Sequence, residues 1–296
     1  MNTSSSLRET LLQAAARLEK VGVDSPRLSV EVLLALAFGL ERSELLRRLI
    51  VEPEALLPAD IRERFAEYVD RRAKGEPVAY ITGVKEFYGR DFRVGPDVLI
   101  PRPETELLID VARQYTPSFP RLPLFADFGT GSGCIAVTLA LELRGSSGVA
   151  LDRSAAALNV ARDNARRLGT EAVHFVRADF RRVPLADACL HFIAANPPYI
   201  GGAEYQTLGR EVRAFEPKSA LVPEESDNAA GTEDAFHILQ EAARLLVPGG
   251  VLLMEMGCGQ GPDLLHALPD ALRAGARVLR DAAGLDRLLV AEKKHP

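Results

Sequence analysis

From about residue 104 onward, short apolar runs alternate with longer amphipathic stretches, and this alternation constrains the fold more than any other feature of the chain. "LPLFADF" (122–128), "GVALD" (148–152), "AVHFVRA" (172–178), "ACLHFIAA" (188–195) and "GVLLMEM" (250–256) have the length and apolar content of strands. "GCIAVTLALELR", "SAAALNVARDNARRLG" and "EDAFHILQEAARLL" repeat apolar residues at helical spacing. Near-continuous apolar strands are those covered on both faces. Strands joined by helices form a mostly parallel sheet with helices on both sides. "GPDLLHALPDALRA" predicts one more helix, and "ARVLRD" and "DRLLVAEK" two strands with no helix between them. These last two predict a hairpin, and so one antiparallel strand at the C-terminal end.

Residues 1–73 read differently. "SLRETLLQAAARLEKVGV" places Leu7, Leu11, Leu12, Ala15 and Leu18 at helical spacing. "SPRLSVEVLLALAFGLERSELLRRL" opens on Ser-Pro, a helix-start signal, and "LPADIRERFAEYVDRRAKG" stops at Gly75. A small helical domain is expected, with no chemical group at motif spacing; a partner-docking role suits it. Residues 74–100 hold "PVAYITGVKEFYGRDFRVGPDVLI", rich in β-branched and aromatic residues and punctuated by glycine. That predicts a β-hairpin linker, leaving 101–296 as the second domain.

Several classes of function are disfavoured at once. The longest apolar run, "VEVLLALAFGL", is too short to span a bilayer, so no membrane role is expected. "MNTSSSLRET" lacks a basic segment followed by an apolar core, so no secretory leader is expected and the cytoplasm is the expected location. Cys134, Cys189 and Cys258 lie far apart, which suggests neither a disulfide framework nor a metal site. A net charge of −5 argues against broad, charge-driven binding, so no stable nucleic-acid partner is expected.

The chemistry lies at the ends of the predicted strands, where open parallel sheets bind ligands. The first runs into "DFGTGSG", residues Asp127, Phe128, Gly129, Thr130, Gly131, Ser132 and Gly133, and a helix follows. Glycines there admit a ligand close to the backbone at a helix N-terminus. A dinucleotide fingerprint wants glycine where Cys134 stands, and a P-loop wants Gly-Lys-Ser/Thr; neither fits. Asp127 suits an ammonium or sulfonium better than a pyrophosphate. The plainer role for the glycines is close strand–helix packing. The second strand ends at Asp152, about twenty residues on, placed to accept ribose hydroxyls. It could instead cap the next helix, but Ser154 is the better cap. After the third strand, Asp179 can accept from an adenine amino group and Phe180 can stack on the ring.

The fourth strand delivers Asn196-Pro197-Pro198-Tyr199 to the same edge. Two prolines make a stiff, non-helical stop. The Asn196 side-chain oxygen and the Pro197 carbonyl can accept both N–H groups of one planar –NH₂, with Tyr199 available to cover it. Arg177, Arg181 and Arg182 form a small basic cluster nearby.

Together the glycine loop, Asp152 and Asn196–Tyr199 resemble class I S-adenosylmethionine-dependent methyltransferases that modify an exocyclic or amide –NH₂. "PVAYITGVKEFYG", "VLIPRPETE" and "LLVPGGVLLMEMGCGQ" are similar to signatures of the HemK family, the peptide chain release factor glutamine methyltransferases. The resemblance covers nearly the whole chain. It implies a Rossmann-like α/β fold with a seven-stranded, mostly parallel sheet, preceded by a small helical domain. It implies S-adenosylmethionine as cofactor, with Phe128 to Gly133 at its methionine end, Asp152 on the ribose and Phe180 over the adenine. It implies transfer of a methyl group to the glutamine of the Gly-Gly-Gln motif in release factors. Asn196 and Pro197 then grip the amide nitrogen, and Leu99, Arg102 and Glu104 lie by the substrate. The family continues after "FEPKSAL" with a glycine-rich stretch, where this chain has "VPEESDNAAGTEDAF". The alternatives are a nucleic-acid amino-methyltransferase, which shares the Asn-Pro-Pro-Tyr, and a non-catalytic adaptor that senses the cofactor.

Overall fold

The structure, a computed structural model, describes residues 5–115, 123–224 and 230–295. Its chain forms two compact units: 1–84 with 209–215, and 85–208 with 216–296.

The first unit is helical. Its main helices are Leu7–Lys20, Pro26–Phe38, Arg42–Val51 and Ala59–Ala73. Leu11, Leu18, Leu33, Leu34, Leu45 and Phe65 are buried in its core. The first helix begins with a reciprocal cap: the Ser6 hydroxyl accepts from the Glu9 N–H, and the Glu9 carboxylate accepts from the Ser6 N–H. The stretch from Pro26 to Leu49 is two helices rather than one, because the backbone turns left-handed at Gly39. "VAYIT", expected in a strand, is a short helix, Val78–Thr82. Pro77 supplies its entry and left-handed Gly83 its exit, and these local signals outweigh the β propensity of Val78, Tyr80 and Ile81. The expected hairpin follows as β1 (Val84–Phe87) and β2 (Arg90–Arg93). Tyr88 and Gly89 turn between them with φ of 53° and 70°, as a tight two-residue hairpin turn requires.

The second unit is built on a seven-stranded sheet. Its strands are β3 (Leu124–Phe128), β4 (Ser147–Asp152), β5 (Val173–Arg177), β6 (Leu190–Ala195), β7 (Leu246–Glu255), β8 (Arg277–Arg280) and β9 (Asp286–Glu292). Their order is β5-β4-β3-β6-β7-β9-β8. From β5 through β7 every neighbouring pair is parallel; β9 runs antiparallel to both β7 and β8. Alternate residues of β6 enter opposite cores, Phe192 and Ala194 on one face and Ile193 and Ala195 on the other. Helices Glu106–Tyr115, Cys134–Glu142 and Ala155–Leu168 cover the first face; Glu233–Leu245 and Gly261–Ala267 cover the second. The helix expected over 261–274 breaks at Leu268, because Pro269 denies its predecessor a helical conformation. Strand order reverses beside β3, between β4 and β6, so a crevice opens outside the carboxyl ends of these strands.

Candidate active site

A cavity of about 260 Å³ lies within the second unit, at the carboxyl edge of the sheet. Gly129, Thr130, Gly131 and Ser132 reach it from β3, Asp152 from β4, Asp179 and Phe180 from the turn after β5, and Asn196 and Pro198 from β6. Leu99 and Arg102 close another wall. These sequence-predicted residues therefore share one cavity. Asp127, Phe128, Gly133, Pro197, Tyr199 and Glu104 are not among its lining residues.

The glycine loop has two parts with different physical reasons. Gly129 and Gly131 have φ of 75° and 54°, and a side chain on either would meet at most light contact. Gly133, with φ of 80°, lies so close to the next helix that an added Cβ would stand 3.0 Å from the Ala161 Cβ. Packing explains Gly133. The amides of Gly129 and Thr130 donate to the Leu151 carbonyl, both at 2.9 Å, so they are committed inside the protein.

The Asp152 carboxylate is held on both oxygens. The Gly131 N–H donates to Oδ2 at 3.0 Å and the Ser154 N–H to Oδ1 at 2.8 Å. A carboxylate offers about four acceptor positions, so room remains for hydroxyl donors. Ser154 is the helix cap, its Oγ accepting from the Ala157 N–H. Asp127 is fully buried. Its Oδ2 accepts from the Thr130 hydroxyl at 2.6 Å and the Ala136 N–H at 3.2 Å, while Oδ1 has no hydrogen-bond partner. Burial pushes this carboxyl up to about 7, against the two hydrogen bonds that lower it. The backbone-held Asp152 carboxylate fits a ligand that brings vicinal hydroxyls, while Asp127, buried behind the cavity wall, keeps one orphaned oxygen beneath the glycine loop.

Asn196 is anchored through Thr105, at the end of the 99–105 stretch expected by the substrate, and through Glu255, which the sequence reading passed over. Its Nδ2 donates to the Thr105 hydroxyl at 3.3 Å, and Thr105 in turn donates to Glu255 Oε2 at 2.6 Å. Tyr199 donates its hydroxyl to the other Glu255 oxygen at 3.2 Å. Glu255 is 1% exposed. Burial raises the Glu255 carboxyl, and burial first, then the Glu255 charge, raises the Tyr199 phenol. Glu104 is not on the cavity wall, but its charge pushes both groups further up. Glu216, also buried, accepts from the Ile100 N–H at 3.1 Å and pairs with Arg102 at 2.5 Å, holding the Leu99–Arg102 wall. The signal for Glu255 was in "GVLLMEM": a carboxylate at the carboxyl end of an otherwise apolar strand. Of the basic cluster, Arg181 is paired with Asp234 at 2.9 Å and Arg177 donates to the Arg153 carbonyl. Residues 225–229 of the divergent "VPEESDNAAGTEDAF" stretch lie outside the described residues.

With β9 inserted antiparallel between β7 and β8, the sheet is that of a class I methyltransferase. Residues 125–289 match a methyltransferase domain family, and residues 9–83 match the PrmC N-terminal domain. A release factor glutamine methyltransferase of Nitratidesulfovibrio vulgaris is 49% identical over 293 residues, covering 97% of this chain and 95% of that one. One of Moorella thermoacetica is 43% identical, with 97% and 99% covered. The chain belongs to the release factor glutamine methyltransferase family. A 16S rRNA methyltransferase of T. thermophilus shares the fold alone, at 18% identity and a TM-score of 0.50 over 71% of this chain and 50% of that one. Among the described residues, no helix is long and apolar enough to cross a membrane.

Proposed function

We propose that this protein transfers a methyl group from S-adenosylmethionine to the side-chain amide nitrogen, N5, of the glutamine in the Gly-Gly-Gln motif of peptide chain release factors. The observation that carries the reading is Asn196 on the wall of the same cavity as Asp152 and the glycine loop. The family's own name supports glutamine in a release factor as the acceptor.

S-adenosylmethionine supplies an electrophilic methyl group on a sulfonium. Asp152 would hold its ribose hydroxyls, Asp127 would brace the glycine loop through the Thr130 hydroxyl beneath the methionine end, and Phe180 with Asp179 would hold the adenine. A glutamine amide nitrogen is a poor nucleophile, since its lone pair is delocalised into the carbonyl. Asn196 Oδ1 and the Pro197 carbonyl would accept its two N–H groups and aim the lone pair at the methyl carbon. The nitrogen lone pair would form the new N–C bond as the S–C bond electrons pass to sulfur, which would leave as a neutral thioether. The nitrogen then loses one proton to solvent. Asn196 is no base, so its contribution is orientation.

The test is mass spectrometry of purified release factor after incubation with the protein and cofactor. The expected result is one added methyl on the Gly-Gly-Gln peptide. Methyl incorporation into RNA or DNA but not into release factor, measured in parallel, would replace this reading with the nucleic-acid one.

A further inference from the structure

The orientation of the Asn196 amide decides whether the cavity meets an acceptor or a donor. Asparagine carries one of each, and the two ends have nearly the same shape. Only the acceptor end can take an N–H of the substrate, so a flipped amide would be unproductive. Asn196 itself cannot choose between the two; its neighbours must.

The chain of hydrogen bonds behind it makes the choice. An ionised carboxylate only accepts. Glu255, at the end of β7, therefore takes the single O–H of Thr105 at 2.6 Å. With its proton spent, the Thr105 oxygen has only lone pairs to offer, and the Asn196 Nδ2 donates to it at 3.3 Å. Oδ1 is then the end left free. The second Glu255 oxygen takes the Tyr199 hydroxyl at 3.2 Å, so one carboxylate fixes both polar residues of the Asn-Pro-Pro-Tyr stretch. Burial raises the Glu255 carboxyl; the Thr105 hydrogen bond, the positive Arg287 side chain on β9 and the Tyr199 hydrogen bond act against that, toward the anion.

Resting on the methyl-transfer reading above, we infer that Glu255 is a positioning residue for the reaction. Acting through the Thr105 hydroxyl, it sets the donor–acceptor sense of the Asn196 amide, and through Tyr199 it clamps the residue that follows the prolines. The network spans three distant parts of the chain, the turn before helix Glu106–Tyr115, the end of β6 and the end of β7. Such an arrangement is costly to build from a buried carboxylate unless its direction matters.

The test is a set of full-length variants assayed on intact release factor, with turnover and cofactor affinity measured separately. Glu255→Gln keeps the shape but can both donate and accept, so the sense of the chain is no longer imposed. Thr105→Val keeps the volume and removes the hydroxyl. Each is expected to lower kcat by roughly 10–100-fold, the range seen when outer hydrogen-bond partners of metal ligands are removed. Cofactor affinity should stay at the wild-type value, and the double variant should lose no more than the worse single one, since both cut one chain. Thr105→Ser should recover most of the turnover lost in Thr105→Val. If Glu255→Gln does not fold, the Val and Ser pair at position 105 decides. Wild-type turnover in Thr105→Val, failure of Ser to restore it, or losses that simply add would overturn the inference. Asn196→Ala serves as the reference: its loss of turnover beside unaffected Thr105→Val overturns the network alone. Full turnover in Asn196→Ala overturns the methyl-transfer reading beneath it.

Discussion

At the scale of single residues, the site divides into groups that were legible and groups that were not. Asp152 and Asn196 each end an apolar strand at the carboxyl edge of a parallel sheet, and strand ends of that kind can be read directly. Glu255 ends an apolar strand in the same way and its signal was there to read; the roles of Thr105 and Glu216 could not be read that way, because they depend on partners 91 and 116 positions away. Asp152→Ala should remove charge-assisted hydrogen bonds to the ribose worth about 1.5–3 kcal/mol. Affinity for S-adenosylmethionine should fall by about ten- to a hundredfold with the fold intact, and calorimetric titration checks it. Asp127 gives a pH signature. Its folded-state carboxyl is raised from 3.8 to about 7, so the folded form holds a proton that the unfolded form has lost between those values. The stability this contributes is complete below the unfolded value and disappears as pH rises through about 7. Glu255 is shifted in the same direction. Thermal melts of the cofactor-free protein should show a lower melting temperature at pH 8 than at pH 5 from these groups. Asp127→Asn, which keeps an acceptor for Thr130 and Ala136, should flatten that dependence; an unchanged pH profile would count against the burial argument.

At the scale of elements, apolar runs predicted the central strands β3, β6 and β7 well, since these are covered on both faces and have no polar period to mislead. The misreadings fall where a single residue outweighs the local pattern. Pro77 and Gly83 turn a β-rich stretch into a helix, Gly39 splits one helix into two, and Pro269 splits another. That the glycine loop would reach a crevice was legible, but its division of labour was not. Only coordinates reveal that Gly133 answers to Ala161 rather than to the cavity. Gly133→Ala would combine an unfavourable left-handed conformation with a Cβ contact at 3.0 Å. It should destabilise the protein by about 1–3 kcal/mol, read from chemical denaturation. Thr130→Ala, by contrast, leaves the backbone unstrained and removes a hydrogen bond to Asp127.

At the scale of the whole molecule, the mixed α/β sheet and the preceding helices were both legible, because each shows a long, consistent period. The return of residues 209–215 to the first unit was not, since packing of a distant segment leaves no local mark. There it joins the N-terminal helices through the Arg72–Glu211 ion pair at 2.8 Å. The central claim is that Asn196 orients an amide –NH₂ for methyl transfer. The most direct measurement is the turnover number of Asn196→Ala on purified release factor at saturating cofactor, beside that of Asn196→Asp. Loss of an oriented hydrogen bond that acts mainly in the transition state predicts a fall of about 10²–10³-fold for Asn196→Ala. Asn196→Asp, which keeps an acceptor oxygen, should retain more activity, and both variants should still bind cofactor. A turnover number for Asn196→Ala close to that of the wild type would contradict the account.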